Sequence, residues 1–276
     1  MADFLDEMAQ SSRDRADEAL RVGDNILAKM RSAKPALPLN LQPGRFELIA
    51  EVKLTAPSVG VLAQPEDPHQ AVIEQARAYL QGGAAVVSVL TEPTRFGGEL
   101  SHLGAIAGAG LGPLMRKDFL RDPIQLVEAR AAGASGALLI ARMLGDAMID
   151  AMLYTAHHAG LFVLIEAFTE DDLHRIAGAH ARRRGLGPPL LVGVNCRDLA
   201  TLRIDPERFL RLAEHLPLGL PAVAESGMTT PQDIARVAEA GYQLALVGSS
   251  LMQAPDPKAR VVELVDAGRS AYRVRR

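Results

Sequence analysis

Eight short apolar runs, each followed by a helical stretch, constrain this chain more than any other feature. The runs are "FELIAEVK" (46–53), "AAVVSVL" (84–90), "PLMRK" (113–117), "GALLIA" (136–141), "LFVLIEA" (161–167), "LLVGVN" (190–195), "PAVAES" (221–226) and "LALVGS" (244–249). Near-continuous apolar runs of this length fit strands covered on both faces. Between them lie segments such as "DPHQAVIEQARAYLQGG", "DPIQLVEARAAG" and "TPQDIARVAEAG". Asp-Pro or Thr-Pro at the start supplies an N-cap and a first helical residue, and a closing Gly is the usual residue just past a helix. The spacing, roughly 25–35 residues, is that of a βα unit. Eight such units close into an α/β fold of the (β/α)8 TIM-barrel class. An open doubly wound sheet needs only about five to seven strands and leaves runs unexplained. The length of 276 residues suits one such barrel, and 48% apolar residues can fill its core.

Ahead of the first run, Phe4, Leu5, Met8, Ala16, Ala19, Leu20, Ile26, Leu27 and Met30 recur near helical spacing, so residues 3–32 read as helical. "AKPALPLNLQPGR" then reads as a linker. The expected division is an N-terminal helical extension and linker over 1–45 and a catalytic barrel over 46–276. The net charge of −3 gives no global reason to expect nucleic acid. The one basic run, "ARRRG" at 181–185, reads as a solvated helix end. Cys196 is the single cysteine, so neither an internal disulfide nor a two-Cys metal site can form. A reducing cytoplasm is the expected compartment. The acidic N-terminus has no apolar signal-peptide core. No apolar run approaches the roughly 18 residues of a membrane span. A monomer or weak homo-oligomer is expected.

Chemistry in such barrels sits at the C-terminal strand ends. Read in order, those ends offer Glu51 and Lys53; Thr91, Glu92 and Phe96; Lys117; Arg142 beyond an apolar fourth end; Glu166; Asn195 and Arg197; Glu225 and Ser226; and Gly248, Ser249 and Ser250. One such residue reads as a surface ion pair. Polar groups at nearly every strand end read as a site. Glu51 and Lys53 share a face because strand side chains alternate. "ESGM" and "VGSSL" follow the seventh and eighth runs, where glycines let the backbone approach an anion and hydroxyls and N–H groups donate. The substrate is therefore expected to be a small anion with a phosphate at one end. At its other end, two lysines and two glutamates can shift each other's pKa values. Lys117, in "MRKDF", reads as a proton donor or a ligand for a carboxylate or carbonyl.

The motifs "IAEVK…PS…G", "SVLTE…FGG", "RKDF..DP.Q..EARAAGA…LLI", "LIEAF…DL", "GVN.RDL.TL.ID", "AESG…P.D" and "VGSSLM" resemble the indole-3-glycerol-phosphate synthase family, in order, from about 46 to 256. The resemblance implies a carboxy-lyase of tryptophan biosynthesis acting on a small anionic sugar phosphate, with no metal or organic cofactor and with the N-terminal helical extension lying over the barrel mouth. It would convert 1-(2-carboxyphenylamino)-1-deoxyribulose 5-phosphate to indole-3-glycerol phosphate, CO2 and water. It also implies Lys117 as general acid, with Glu166 and Glu51 moving protons during dehydration. Lys53 would bind the substrate carboxylate or act as the second acid. Asn195, Glu225 and Ser226 would orient substrate and lysines. Gly227, Gly248 and Ser249, with Ser58, would hold the phosphate, while Arg197, Phe96 and Phe119 would contact the rest of the substrate.

The sequence departs from the family pattern after the first run, where "KLTAPS" puts Leu54 in place of a cation and Ala56 in place of a serine. A lost hydrogen bond to a charged group is worth roughly 1.5–3 kcal/mol, and Ser58 or Thr55 are the candidates to compensate. Glu99 stands where a serine is usual, and Cys196 reads as a packing residue. From residue types alone, three other readings stay open: a Schiff-base aldolase, an isomerase of the phosphoribosylanthranilate type, and a non-catalytic phosphate-binding barrel.

Overall fold

The computed structural model describes residues 4–56, 60–61, 66–183, 185–199 and 201–274. Eight parallel strands close into a barrel in sequence order: β1 (Glu47–Val52), β2 (Val86–Leu90), β3 (Leu114–Lys117), β4 (Gly136–Ile140), β5 (Phe162–Ala167), β6 (Leu190–Asn195), β7 (Ala222–Glu225) and β8 (Leu244–Val247). β8 pairs back onto β1, setting Ala50 opposite Val247. Each strand falls within a run expected from sequence.

The helices on the outside begin as their caps dictate. Asp67, Asp122, Thr230 and Asp256 each cap a helix with the side chain, and proline follows at the first turn. Asp122 and Gln125, Thr169 and Asp172, and Thr230 and Asp233 form reciprocal capping boxes. Elements too short to leave a periodic signal were missed: a pair of two-residue strands (Thr55–Ala56 with Gly60–Val61) and four-residue helices at Pro93–Phe96 and Ser249–Met252.

Two apolar cores result from strand alternation. Ile49, Met115, Leu138, Leu164, Val223 and Leu246 face one another inside the barrel. Residues of opposite parity, such as Leu48, Val87, Val163 and Val192, face the helices. Among these helices, Gly268 lies against Phe46, and a Cβ on it would come within 3.0 Å of three Phe46 ring atoms. Alanine is normally better than glycine inside a helix by about 1 kcal/mol. Here the sign should reverse. Gly268→Ala is expected to cost roughly 1–3 kcal/mol by overpacking, read as a lowered urea midpoint; an unchanged or raised midpoint contradicts this.

The N-terminal segment is two helices, α1 (Phe4–Arg21) and α2 (Gly23–Ser32), not one. The break falls at Val22, with φ −111° and ψ 19°, where a β-branched residue meets a glycine. The start of α1 caps the barrel interior: Met8 is fully buried in the interior cluster, with Phe4 and Leu5 against it. Farther along, Ala16, Ala19 and Ile26 pack on Ile124 and Val127 of α3 (Pro123–Ala131). The linker, patternless in sequence, packs Leu39 and Leu41 against the interior cluster.

A buried polar network joins this extension to β3. Met115 and Lys117 face inward, so Arg116 and Asp118 face outward. Arg116 donates to Thr91 Oγ1 (3.1 Å), Gln125 O (3.0 Å), Glu128 Oε2 (2.6 Å) and Asp118 Oδ2 (3.2 Å). From α1, Arg15 grips both Asp118 oxygens at 2.7 and 2.9 Å. Asp118 Oδ1 also accepts from the Phe119 N–H at 2.8 Å. These two outward charges account for the polar residues flanking Lys117 in the sequence.

Candidate active site

Above the interior apolar layer, the inward positions turn polar. Glu51, Lys117, Glu166, Asn195 and Glu225 come from β1, β3, β5, β6 and β7, and all border one cavity of about 320 Å³ at the C-terminal mouth. β2 and β4 present Leu90 and Ile140 instead. Lys53, just past β1, completes the ring.

Its charges are paired, once within the β1 segment and once across strands. Lys53 Nζ donates to Glu51 Oε1 at 2.6 Å. Lys117 Nζ lies 3.9 Å from Glu166 Oε2, an ion pair beyond hydrogen-bond reach. Asn195 Nδ2 donates to Glu166 Oε1 at 2.7 Å, and Asn195 Oδ1 accepts from the Arg197 N–H at 2.8 Å. That chain of bonds fixes the Glu166 carboxylate.

The environment sets protonation in opposite directions. Burial pulls the Lys117 pKa down, but Glu166, Glu51 and Glu225 outweigh it and hold it above an ordinary lysine. Burial pushes Glu51 up, and Lys53 and Lys117 bring it below the usual carboxylate value. Glu225 goes the other way: burial and then the charge of Glu166 raise it well above that value. Two carboxyls of one mouth thus have their pKa values pushed apart.

The same cavity is bordered by Ser226, Gly227, Gly248 and Ser249 on one side and by Phe96, Phe119 and Arg197 on another. Ser226 and Gly227 adopt φ of 70° and 72°, and this consecutive left-handed pair turns the chain sharply after β7. Gly248 lies close under the Glu51–Lys53 pair: a Cβ there would be 2.5 Å from Glu51 Oε1 and 2.9 Å from Lys53 Nζ. Ser58 lies outside the described residues.

Some sequence expectations do not reach the mouth. Thr91 turns outward to donate to Asp118 Oδ2 at 2.7 Å, and Glu92 caps the short helix that follows it. Arg142 stacks 3.9 Å from the Phe168 ring centroid. Leu54 packs on the barrel–helix core, and Glu99 accepts from Ser101 at 2.8 Å. Cys196 is buried, donating to Ser226 O at 3.3 Å, and burial pushes its thiol up to about 11. It suits packing and not nucleophilic attack.

Other features of the site went unseen in the sequence. Phe4 of α1 meets Phe96 and Phe119 edge-on, with centroids 6.4 and 5.9 Å away. Glu7 of the same helix pairs with Arg95, beside Phe96, at 2.5 Å. Helical spacing marked Phe4 as apolar but carried no information on what it would meet. Leu199 and Ile204 also border the cavity, from the loop after β6.

Comparison with known proteins agrees with this architecture. The family model described as indole-3-glycerol phosphate synthase matches residues 5–264. The chain is 40% identical over 261 residues to the indole-3-glycerol phosphate synthases of Mycobacterium leprae (strain Br4923) and Mycobacterium avium (strain 104), covering 92% of this chain and 91% of each relative. Among solved structures, 3-hexulose-6-phosphate synthase from Salmonella typhimurium superposes with a TM-score of 0.62 at 14% identity, covering 82% of this chain and 100% of that one. Thiamine phosphate pyrophosphorylase from Pyrococcus furiosus gives 0.55 at 18% identity, covering 82% and 96%. Those two likenesses speak for the barrel alone. Matched by the family model along nearly its whole length and by close relatives over the same span, the chain belongs to the indole-3-glycerol phosphate synthase family.

Proposed function

We propose that the mouth closes the indole ring of 1-(2-carboxyphenylamino)-1-deoxyribulose 5-phosphate, releasing CO2 and water and leaving indole-3-glycerol phosphate. The family is a decarboxylating carbon–carbon lyase of tryptophan biosynthesis. The observation that carries the assignment of residues is the convergence of two ammonium groups and three carboxyls around one cavity.

The ring carbon that bears the carboxylate attacks the ribulose carbonyl. Its oxygen needs a proton as the C–C bond forms, and Lys117, kept protonated by its acidic neighbours, donates it. Loss of CO2 returns electrons to the ring. The hydroxyl then leaves as water, which takes one acid and one base. Glu166, fixed by Asn195, is placed to accept the proton. Lys53, paired with Glu51, holds the substrate carboxylate or supplies the departing hydroxyl's proton. Phe96 and Phe119 flank the aromatic end, and Gly227, Gly248 and Ser249 face the phosphate. A Schiff-base mechanism would need a neutral amine, which the Lys117 environment opposes.

Purified protein given this substrate should develop indole absorbance and fluorescence. No turnover at millimolar substrate would sink the reading.

A further inference from the structure

Glu225 is 1% exposed, and among the described residues neither of its carboxyl oxygens has a hydrogen-bond partner. Its position follows from the register. Glu225 sits opposite Asn195, and Glu166 sits opposite Gly193. Gly193 and Asn195 are two apart on β6 and so share the inward face. Beneath Asn195, the ring of inward side chains therefore has a gap at Gly193. The Glu225 carboxyl fills it: a Cβ built on Gly193 falls within 3.0 Å of Glu225 Oε1 and 3.2 Å from both Glu225 Cδ and Leu164 Cδ1.

We infer that Gly193 is a positioning residue, whose missing side chain forms the seat from which the Glu225 carboxyl faces the cavity. The seat lies between Leu164 and the acids of the mouth. An apolar wall on one side and Glu166 on the other favour an uncharged carboxyl there, in line with the upward shift of Glu225. A carboxyl that keeps its proton can donate a hydrogen bond to an anionic substrate. Geometry also separates this role from a structural one. A methyl on Gly193 would strike mainly the tip of a flexible side chain, whereas one on Gly268 would strike a packed ring. The barrel can absorb the first by swinging the carboxyl out of its seat. Folding is then little affected, and the chemistry loses its geometry.

This rests on the reading of the mouth given above, and a double-mutant cycle separates the two. Gly193→Ala should lower kcat roughly 10–100-fold, the cost of a misplacement of about 1 Å, with the urea midpoint close to wild type. Glu225→Ala should lower kcat roughly 100-fold or more. In the Glu225→Ala background, adding Gly193→Ala should change kcat by less than about twofold, because the group it displaces is gone. A full further loss in that background, or Gly193→Ala alone at near wild-type kcat while Glu225→Ala is impaired, overturns the seat. Glu225→Ala at wild-type rate would instead overturn the role of Glu225 in the mouth, and the seat with it. If Gly193→Ala does not fold, the double variant decides: folding restored by Glu225→Ala supports the seat, and failure of both overturns it.

Discussion

Lys117→Ala lowers kcat by roughly 10²–10⁴-fold, the usual worth of a positioned proton donor, with KM changed far less. In the proposed mechanism the group acts on the carbonyl oxygen as charge develops there, so its removal is felt in the transition state more than in binding. The pH dependence carries a sign. A donor works below its pKa, and Lys117 is held above the ordinary lysine value of 10.5. Activity governed by this group is therefore flat through neutral and mildly alkaline pH and falls only as pH rises past that value. Lys117→Arg keeps the positive charge but releases its proton far less readily, and most of the loss should persist. An alanine variant retaining half of wild-type kcat, with circular dichroism unchanged, would remove Lys117 from the mechanism.

The largest stability effect is expected on the opposite face of the same strand. Asp118→Ala removes one of the two carboxylates that balance the Arg116 guanidinium, whose side chain is 3% exposed, leaving only Glu128, and frees Arg15 of α1. Removing one partner of a buried ion pair costs roughly 3–5 kcal/mol, measurable as a lowered urea midpoint. Adding Arg116→Met should recover part of that loss by removing the buried charge that Asp118 had helped to balance. A cost below about 1 kcal/mol, the range of surface pairs, would mean the network is not holding the fold.

Acid should reveal the same carboxylate. Burial raises the Asp118 pKa, and Arg116 and Arg15 more than reverse it, holding it down to about 2 from 3.8. A depressed carboxylate stabilises the fold above its unfolded pKa. The contribution, about 2 kcal/mol for a shift of this size, is whole above pH 5 and is lost as pH falls from about 4 to 2. The Asp118→Ala variant should lack that part of the acid transition.

What the sequence discloses and what it hides divide along a physical line. Strands are local: β-branched runs bounded by Asp-Pro and Gly identify themselves, and all eight were legible. The strand ends are local too, which is why Glu51, Lys117, Glu166, Asn195 and Glu225 could be assigned to one mouth from the sequence, and parity adds that Glu51 and Lys53 share a face. Parity lapses once a strand ends. Thr91, Glu92 and Arg142 follow their strands by a residue or two, and only tertiary partners decide that they turn away. Long-range pairs leave no trace in local pattern. Nothing near Arg15 announces Asp118, and nothing in "GVN" announces that its glycine lies under a carboxyl of the next strand. The break at Val22 was a matter of propensity too weak to read against a good helical period.

The attachment of α1 has a consequence for synthesis. Arg15 and Asp118 are 103 residues apart, and Ser12 and Gln125 are 113 apart. This helix therefore leaves the ribosome with no docking site until β3 and α3 have followed it, a wait of roughly 5–20 seconds at ordinary elongation rates. Its apolar face must stay unattached for that time, since the strands it will cap do not yet exist. A segment translated ahead of the barrel is thus set in place late, and the aromatic roof contributed by Phe4 is completed only after the barrel beneath it has begun to close.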